Sequence, residues 1–203
     1  MRKVLAQQAR VRTNTTMDSV CSVSVEPVTF DRLWASYPSS HHPYVDAATG
    51  KVPAGFENQC AIRVSMSIHG AGIEMKSFRG AARQVHGLPV AYLAEQLAGW
   101  LKLQPFCGLP KEPEDVTGKN WQDKIRGRTG IIFFANYWKR DGETTRPTGD
   151  HIDLWNKSKL TSNAANFARR LGITSVQWLP RPLDAFNFSD LGNSTQILFW
   201  EVR

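Results

Sequence analysis

The sequence predicts a mixed α+β domain in which helices come first and an antiparallel sheet follows. Three observations predict it. Helical spacing of apolar residues dominates the first half; a continuous apolar run, Gly130 to Trp138 (GIIFFANYW), marks a buried central strand; and an alternating segment follows that run after one polar loop. The 203 residues are 41% hydrophobic, 21% charged and 10% aromatic, which describes a folded domain and excludes a mostly disordered chain. One domain over residues 28–203 accounts for the patterning. Residues 1–27 show neither helical nor alternating periodicity and read as an extended arm.

Thr29 to Tyr37 is the first expected helix, because Phe30, Leu33, Trp34 and Tyr37 recur at helical spacing behind Thr29 as cap and before Pro38 as stop. Residues 38–57, rich in Pro, Gly, Ser and His, read as a long surface loop. A second helix is expected from near Asn58 to Ile68, closed by Gly70 and Gly72, with a short strand at Gly72 to Met75. Leu88 to Leu103 carries the longest helical pattern, with Pro89 near its start and Leu93, Leu97, Trp100 and Leu101 as an apolar stripe. A Pro-rich loop at 105–118 and a short helix lead into the central strand, and His151 to Asn156 reads as the next antiparallel strand. Asn163 to Leu171 looks helical, and Ser175 to Leu179 and Thr195 to Val202 look like further strands.

Lys and Arg exceed Asp and Glu by 25 to 18, and the net charge of +7 predicts attraction to nucleic acid, anionic cell-wall polymers or an acidic protein. The densest basic stretch, Lys119 to Arg128, also sets Trp121 and Ile125 at helical spacing and carries no nucleic-acid signature. It therefore reads as a solvated helix face. No run of 18 apolar residues is present, so no membrane span is expected. The opening MRKVLAQQARVRTNTT lacks the apolar run of a secretory signal, which predicts a chain made in the cytoplasm and moved only by another machine.

Three cysteines cannot all pair within one chain, and their spacing matches no zinc pattern. Cys21 and Cys107 read as small buried hydrophobes. Cys60 differs, because the first turn of a helix offers both a positive dipole end that favours a thiolate and unpaired N–H groups that can hold an oxyanion. Among the five histidines, His41 and His42 sit in a loop, His69 ends a helix and His86 lies beside Gly87 in a turn. His151 instead opens a strand just after the central one, from which a side chain can reach a neighbouring helix end. A helix-start cysteine followed about ninety residues later by a strand histidine fits a papain-like cysteine hydrolase that needs no cofactor. Trp138 and Trp155 invite a sugar-stacking role, but strands of this kind favour core packing.

Phe56 to Ser65 (FENQCAIRVS) and Gly149 to Asn156 (GDHIDLWN) resemble the two signature blocks of the fourth family of type VI secretion amidase effectors. Phe30 to Trp34 resembles that family's first helix and Gly127 to Phe134 the strand before its histidine, so the likeness covers roughly residues 28–163. The resemblance implies a papain-like fold, Cys60 as nucleophile and His151 as base. It implies hydrolysis of the amide joining D-glutamate to meso-diaminopimelate in peptidoglycan stem peptides. Delivery by the type VI apparatus into a rival's periplasm, and a small cognate immunity protein that occludes the cleft, are implied too. A protein-directed cysteine peptidase or transglutaminase-like toxin, and a non-catalytic basic binding module, are the competing readings.

The third catalytic member departs from the family pattern. Family members place an aspartate eleven residues beyond the histidine, and that position here is Ser162. A hairpin with its turn near Lys157 and Ser158 would set Ser162, Asn163 and Ala164 across from His151 and Asp153, where Asn163 could orient the ring through its amide oxygen. Asp153 is the rival, on the same face as His151 and roughly 6 to 7 Å along the strand. The family's pair of downstream cysteines is absent. Gln59 is expected to act as an oxyanion donor or a helix cap, and Arg63 to bind a substrate carboxylate or form a structural ion pair.

Overall fold

The computed structural model describes residues 5–10, 20–138, 148–161 and 191–203. The expected first helix is α1 (Phe30–Ala35), which buries Phe30 and Leu33; Thr29 occupies the N-cap position, although its hydroxyl makes no capping bond. The second is α2 (Cys60–Gly70), so Cys60 is its first residue. Apart from its ends α2 is buried almost all round, as a central helix must be. Its buried hydroxyls are satisfied: Ser67 donates to the Leu33 carbonyl at 2.6 Å and Ser65 accepts from the Ala91 N–H at 3.1 Å.

Three expectations change here. The arm at 1–27 contains a hairpin, with β1 (Leu5–Arg10) and β2 (Val20–Val25) paired antiparallel in a sheet of their own. Gly72 to Met75 is not a strand, because Gly72 turns the chain with φ 94°. The long helix at 88–103 divides into a hairpin strand and a shorter helix. His86 (φ 49°) and Gly87 (φ 76°) are both left-handed, which makes the two-residue turn that matches the twist of a β-hairpin. That turn pairs β3 (Ala82–Val85) with β4 (Leu88–Ala91), and α3 (Ala94–Leu101) follows with Leu97, Trp100 and Leu101 as its buried stripe. Pro89 is thus a residue of a two-stranded sheet and not the start of a helix.

The main sheet assembles from β5 (Glu114–Asp115), β6 (Thr129–Trp138), β7 (Gly149–Asn156), β8 (Lys159–Leu160) and β9 (Gln196–Glu201). Its order is β5-β9-β6-β7-β8, with every neighbouring pair antiparallel. The run GIIFFANYW is therefore central, and it is apolar on both faces because both faces are covered. Ile131 and Phe133, with Ile152, Leu154, Leu198 and Trp200, pack against α1, α2 and α3. Ile132 and Phe134, with Trp155, Ile197 and Phe199, pack against Trp121 and Ile125 of α4 (Trp121–Ile125). Each such side chain withdrawn from water contributes on the order of 2 kcal/mol. The basic stretch at 119–128 reads out as expected: Trp121 and Ile125 face the core while Arg126 and Arg128 pair with Asp123 and with Glu114 and Glu201.

Two features of β7 position the site. Residues 151, 153 and 155 face α4, whereas 152 and 154 face α2. β8 pairs only with Trp155 and Asn156, so among the described residues the first part of β7 keeps an uncovered outer edge. The sequence segments 163–171 and 175–179 lie outside the described residues.

Candidate active site

Cys60 is half-buried at the start of α2, against the core beneath it. The first intrahelical bond joins the Arg63 N–H to the Gln59 carbonyl at 3.0 Å, so the N–H groups of residues 60 to 62 precede the helical ladder. His151 lies on the opposite face of the sheet, 4% exposed, its ring stacked on Phe134 at 6.2 Å and edge-on to Tyr137 at 6.5 Å. Thiol and imidazole nevertheless meet, across the outer edge of β7, which no described strand covers at that point. The Cys60 sulfur takes hydrogen bonds from the Ile152 N–H on that edge and from the His151 ring.

Asp153 follows two residues along the same face, wholly buried, with Oδ2 3.6 Å from His151 Nε2. Its other oxygen accepts from the Leu154 N–H at 2.8 Å and from the Thr161 hydroxyl in a short contact. The carboxylate is thereby fixed in place. Its spacing from His151 looked awkward for a residue of the same strand, yet the two side chains come within 3.6 Å of each other.

Burial pushes the Cys60 thiol up, but hydrogen bonding and charge from His151, together with the Ile152 N–H, outweigh it and hold the thiol below its ordinary value. Burial lowers the His151 pKa, while the Asp153 carboxylate and the Cys60 sulfur raise it further, to about 9. Both shifts favour one protonation state, a thiolate beside an imidazolium. A sulfur in that state is a nucleophile, and the imidazolium beside it is a proton donor.

The remaining expected site residues sit as follows. Gln59 is buried at 2% exposure, and it spans the loop before the helix: Oε1 accepts from the Tyr44 N–H at 2.8 Å while Nε2 donates to the Tyr44 carbonyl at 2.7 Å and the Phe56 carbonyl at 3.1 Å. Both amide hydrogens are committed, so the side chain has none to offer an oxyanion; it stands at the N-cap position but makes no capping bond either. Arg63 is buried at 7% exposure, with its guanidinium 4.6 Å above the Tyr37 ring, and forms no ion pair among the described residues. The aromatic ring takes the place of the expected carboxylate. Asn163 lies outside the described residues. Trp155 is core, its indole N–H donating to the Ile125 carbonyl at 3.1 Å, and Cys107 is half-buried. Among the described residues no cluster of three His, Cys, Asp or Glu side chains is arranged to hold a metal ion.

Thr161 and Tyr37 escaped sequence reasoning. Thr161 braces Asp153, and the Tyr37 hydroxyl, beside Thr161, is kept protonated by burial and by the Asp153 charge. The hairpin register contained the signal for Thr161: a turn at Lys157 and Ser158 sets it next to Leu154, adjoining Asp153. Tyr37 gave none, since its spacing is equally that of an apolar stripe.

The family model for Tae4, type VI secretion system (T6SS) amidase effector protein 4, matches residues 56–200. No individually curated protein matches the sequence. Among solved structures the chain is similar to the effector Tae4 from Salmonella typhimurium, in complex with the immunity Tai4 from Enterobacter cloacae, with TM-score 0.53 and 18% identity over 86% of this chain and 99% of that one. It is similar to the Tae4 of the Tae4-Tai4 complex from Enterobacter cloacae, with TM-score 0.53 and 19% identity over 86% and 98%. Tae4 from Enterobacter cloacae alone gives TM-score 0.52 and 17% identity over 86% and 96%. At such identity these likenesses speak to the fold, the papain-like α+β fold with helices packed on an antiparallel sheet. With the family model matching well over half of its length, the chain belongs to the Tae4 family of type VI secretion system amidase effectors and is an amide-bond hydrolase.

Proposed function

We propose that the chain is a cysteine amidase that cuts the D-glutamyl to meso-diaminopimelate bond of peptidoglycan stem peptides, with Cys60 as nucleophile, His151 as acid and base, and Asp153 as the group that orients the ring. The observation that carries this reading is the continuous array of sulfur, imidazole and buried carboxylate, with the sulfur biased toward thiolate and the ring toward imidazolium.

The Cys60 thiolate attacks the carbonyl carbon, and the oxyanion that forms is held by backbone N–H groups at the start of α2. Gln59 does not serve here; it pins the loop that carries Tyr44 against the helix start. As the tetrahedral intermediate collapses, the carbon–nitrogen bond breaks and His151 gives its proton to the leaving amine. Asp153 faces Nε2, which leaves Nδ1 as the ring nitrogen for the sulfur and the leaving group. A thioacyl enzyme remains. The neutral imidazole then takes a proton from water, the hydroxide attacks the thioester, and the thiolate departs to restore the starting ion pair.

In this reading the effector leaves its producing cell through the type VI apparatus and acts in the periplasm of a target bacterium, and a cognate immunity protein protects the producer by covering the cleft. Immunity complexes of the structurally similar effectors support that partner. The test is mass analysis of muropeptides from purified sacculi digested with wild type and Cys60→Ala. Fragments ending in D-glutamate, with diaminopimelate newly free at its amine, are expected from wild type alone. Cleavage at another bond would refute the substrate, and equal digestion by Cys60→Ala would refute the nucleophile.

A further inference from the structure

Two buried polar side chains, Arg63 and Tyr37, stand near the catalytic array and take no part in the proposed bond cleavage. Arg63 is three residues after Cys60 in α2, so it rises from the same helix face one turn on. Among the described residues its buried Nε meets no acceptor and its guanidinium no carboxylate; the guanidinium lies on the Tyr37 ring at 4.6 Å. Tyr37 follows the end of α1, where its N–H donates to the Trp34 carbonyl at 3.3 Å, and precedes Pro38, which restricts its backbone. Its hydroxyl is buried and lies beside Thr161. Thr161 is pinned through its N–H to the Leu154 carbonyl at 3.3 Å, and its hydroxyl donates to Asp153 Oδ1.

These neighbours close a ring. From Cys60 the inner arc runs through His151 to Asp153. The outer arc returns from Asp153 through Thr161 and Tyr37 to Arg63, one helical turn from its starting point. Hydrogen count and charge both make the outer arc part of the site. A hydroxyl has one hydrogen, and Thr161 spends its own on Asp153, so its oxygen is left as an acceptor. The phenol beside it is a donor, kept protonated by burial and by the Asp153 charge. A guanidinium withdrawn from water is costly unless opposite charge lies near. The thiolate and Asp153 carry two negative charges and the imidazolium one positive charge; Arg63 brings the buried set to neutrality.

We infer that Tyr37 is a positioning residue of the amidase: its hydroxyl donates to Thr161, which donates to Asp153, and the Arg63 guanidinium holds the ring that presents it. The inference rests on the proposed reaction of Cys60, His151 and Asp153 and deepens it. A chain of O–H groups ending on a carboxylate polarises each member and fixes the carboxylate in one orientation toward His151. The arc also ties the helix that carries the thiol to the strand that carries the imidazole, so two routes set the distance between them.

Tyr37→Phe removes the hydroxyl alone and keeps a ring under Arg63, and a thermal melt checks that the variant is folded. For release of fragments from sacculi, its kcat should fall about fivefold with KM unchanged, the scale of one neutral hydrogen bond. Alkylation of Cys60 by iodoacetamide should also slow, because a less firmly oriented imidazolium holds the thiolate less well. In a Thr161→Val background the same substitution should change either rate by less than about twofold, since its route to Asp153 is already cut. Arg63→Gln should lower kcat in the wild type and lose that effect once Tyr37→Phe is present. A folded Tyr37→Phe protein with wild-type kcat and alkylation rate, whatever its melting temperature, would overturn the inference. Losses that multiply in the Tyr37→Phe, Thr161→Val double variant would overturn it too. Failure of the amidase reading shows differently, as wild type that is alkylated at Cys60 but releases no fragments, and the alkylation rates then still decide the part of Tyr37.

Discussion

Asp153→Asn isolates the charge of the third catalytic member while keeping its shape. In the wild type Asp153 Oδ2 stands 3.6 Å from His151 Nε2. With an effective dielectric constant of about 20, a unit charge pair at that separation is worth ~4.6 kcal/mol. At ~1.4 kcal/mol per tenfold, losing the pair reduces the imidazolium-dependent rate by about 10³-fold. Loss of the analogous carboxylate charge in serine-type triads costs about 10⁴-fold, a similar scale. The asparagine keeps an oxygen for the Leu154 N–H and the Thr161 hydroxyl, so the strand pairing should survive. Its amide nitrogen, however, can turn a donor toward Nε2 and oppose the protonated ring. The assay is kcat/KM for release of fragments from sacculi, alongside a thermal melt to show that the variant is folded. Activity within about threefold of wild type from a folded Asp153→Asn protein would refute this role, and a large loss on Asn163→Ala in the same experiment would transfer it to Asn163.

Three other outcomes follow from named contacts. Thr161→Val removes the hydroxyl that braces Asp153 but leaves the Leu154 N–H, so kcat should fall about tenfold with KM unchanged; an unchanged kcat would mean the brace is idle. Gln59→Ala leaves the Tyr44 N–H and two part-buried carbonyls without their partner, and denaturant titration should show a loss of about 2 to 3 kcal/mol, against near zero if the clamp contributes nothing. His151 is raised from 6.5 to about 9 on folding, so its protonation favours the folded state; that contribution is complete below pH 6.5 and is lost as pH rises through about 9. The melting temperature of wild type should accordingly approach that of His151→Gln over that interval, and a gap that widens instead would contradict the sign of the shift.

How far the residues alone lead depends on whether local pattern and tertiary context agree. GIIFFANYW could be read as central because a strand covered on both faces has no polar alternation to confuse it. Cys60 could be placed at a helix start because the glycines after His69 closed one end and the polar loop before Asn58 bounded the other. Residues 88–103 misled because Val90 and Ala91 fit a helical stripe as well as a buried strand, and only the left-handed pair His86 and Gly87 decides between them. Gln59 and Arg63 were visible as polar residues flanking the nucleophile, but sequence spacing cannot say where a long side chain points. One turns back to the Tyr44 loop and the other lies on Tyr37. His151 and Asp153 were legible as a same-face pair from alternation; that the thiol reaches them around an open strand edge was not, because edge exposure depends on how far β8 extends.

The mechanism turns on whether the Cys60 sulfur is a thiolate paired with the His151 imidazolium. Thiolate absorbance titrated in wild type, with the Cys60→Ser signal subtracted, measures this directly. The midpoint should lie below the ordinary thiol value of 9.0 and rise above it in His151→Ala, where burial of the sulfur remains and its cation is gone. A wild-type midpoint at or above 9.0, or one that His151→Ala leaves in place, would contradict the ion pair and the mechanism built on it.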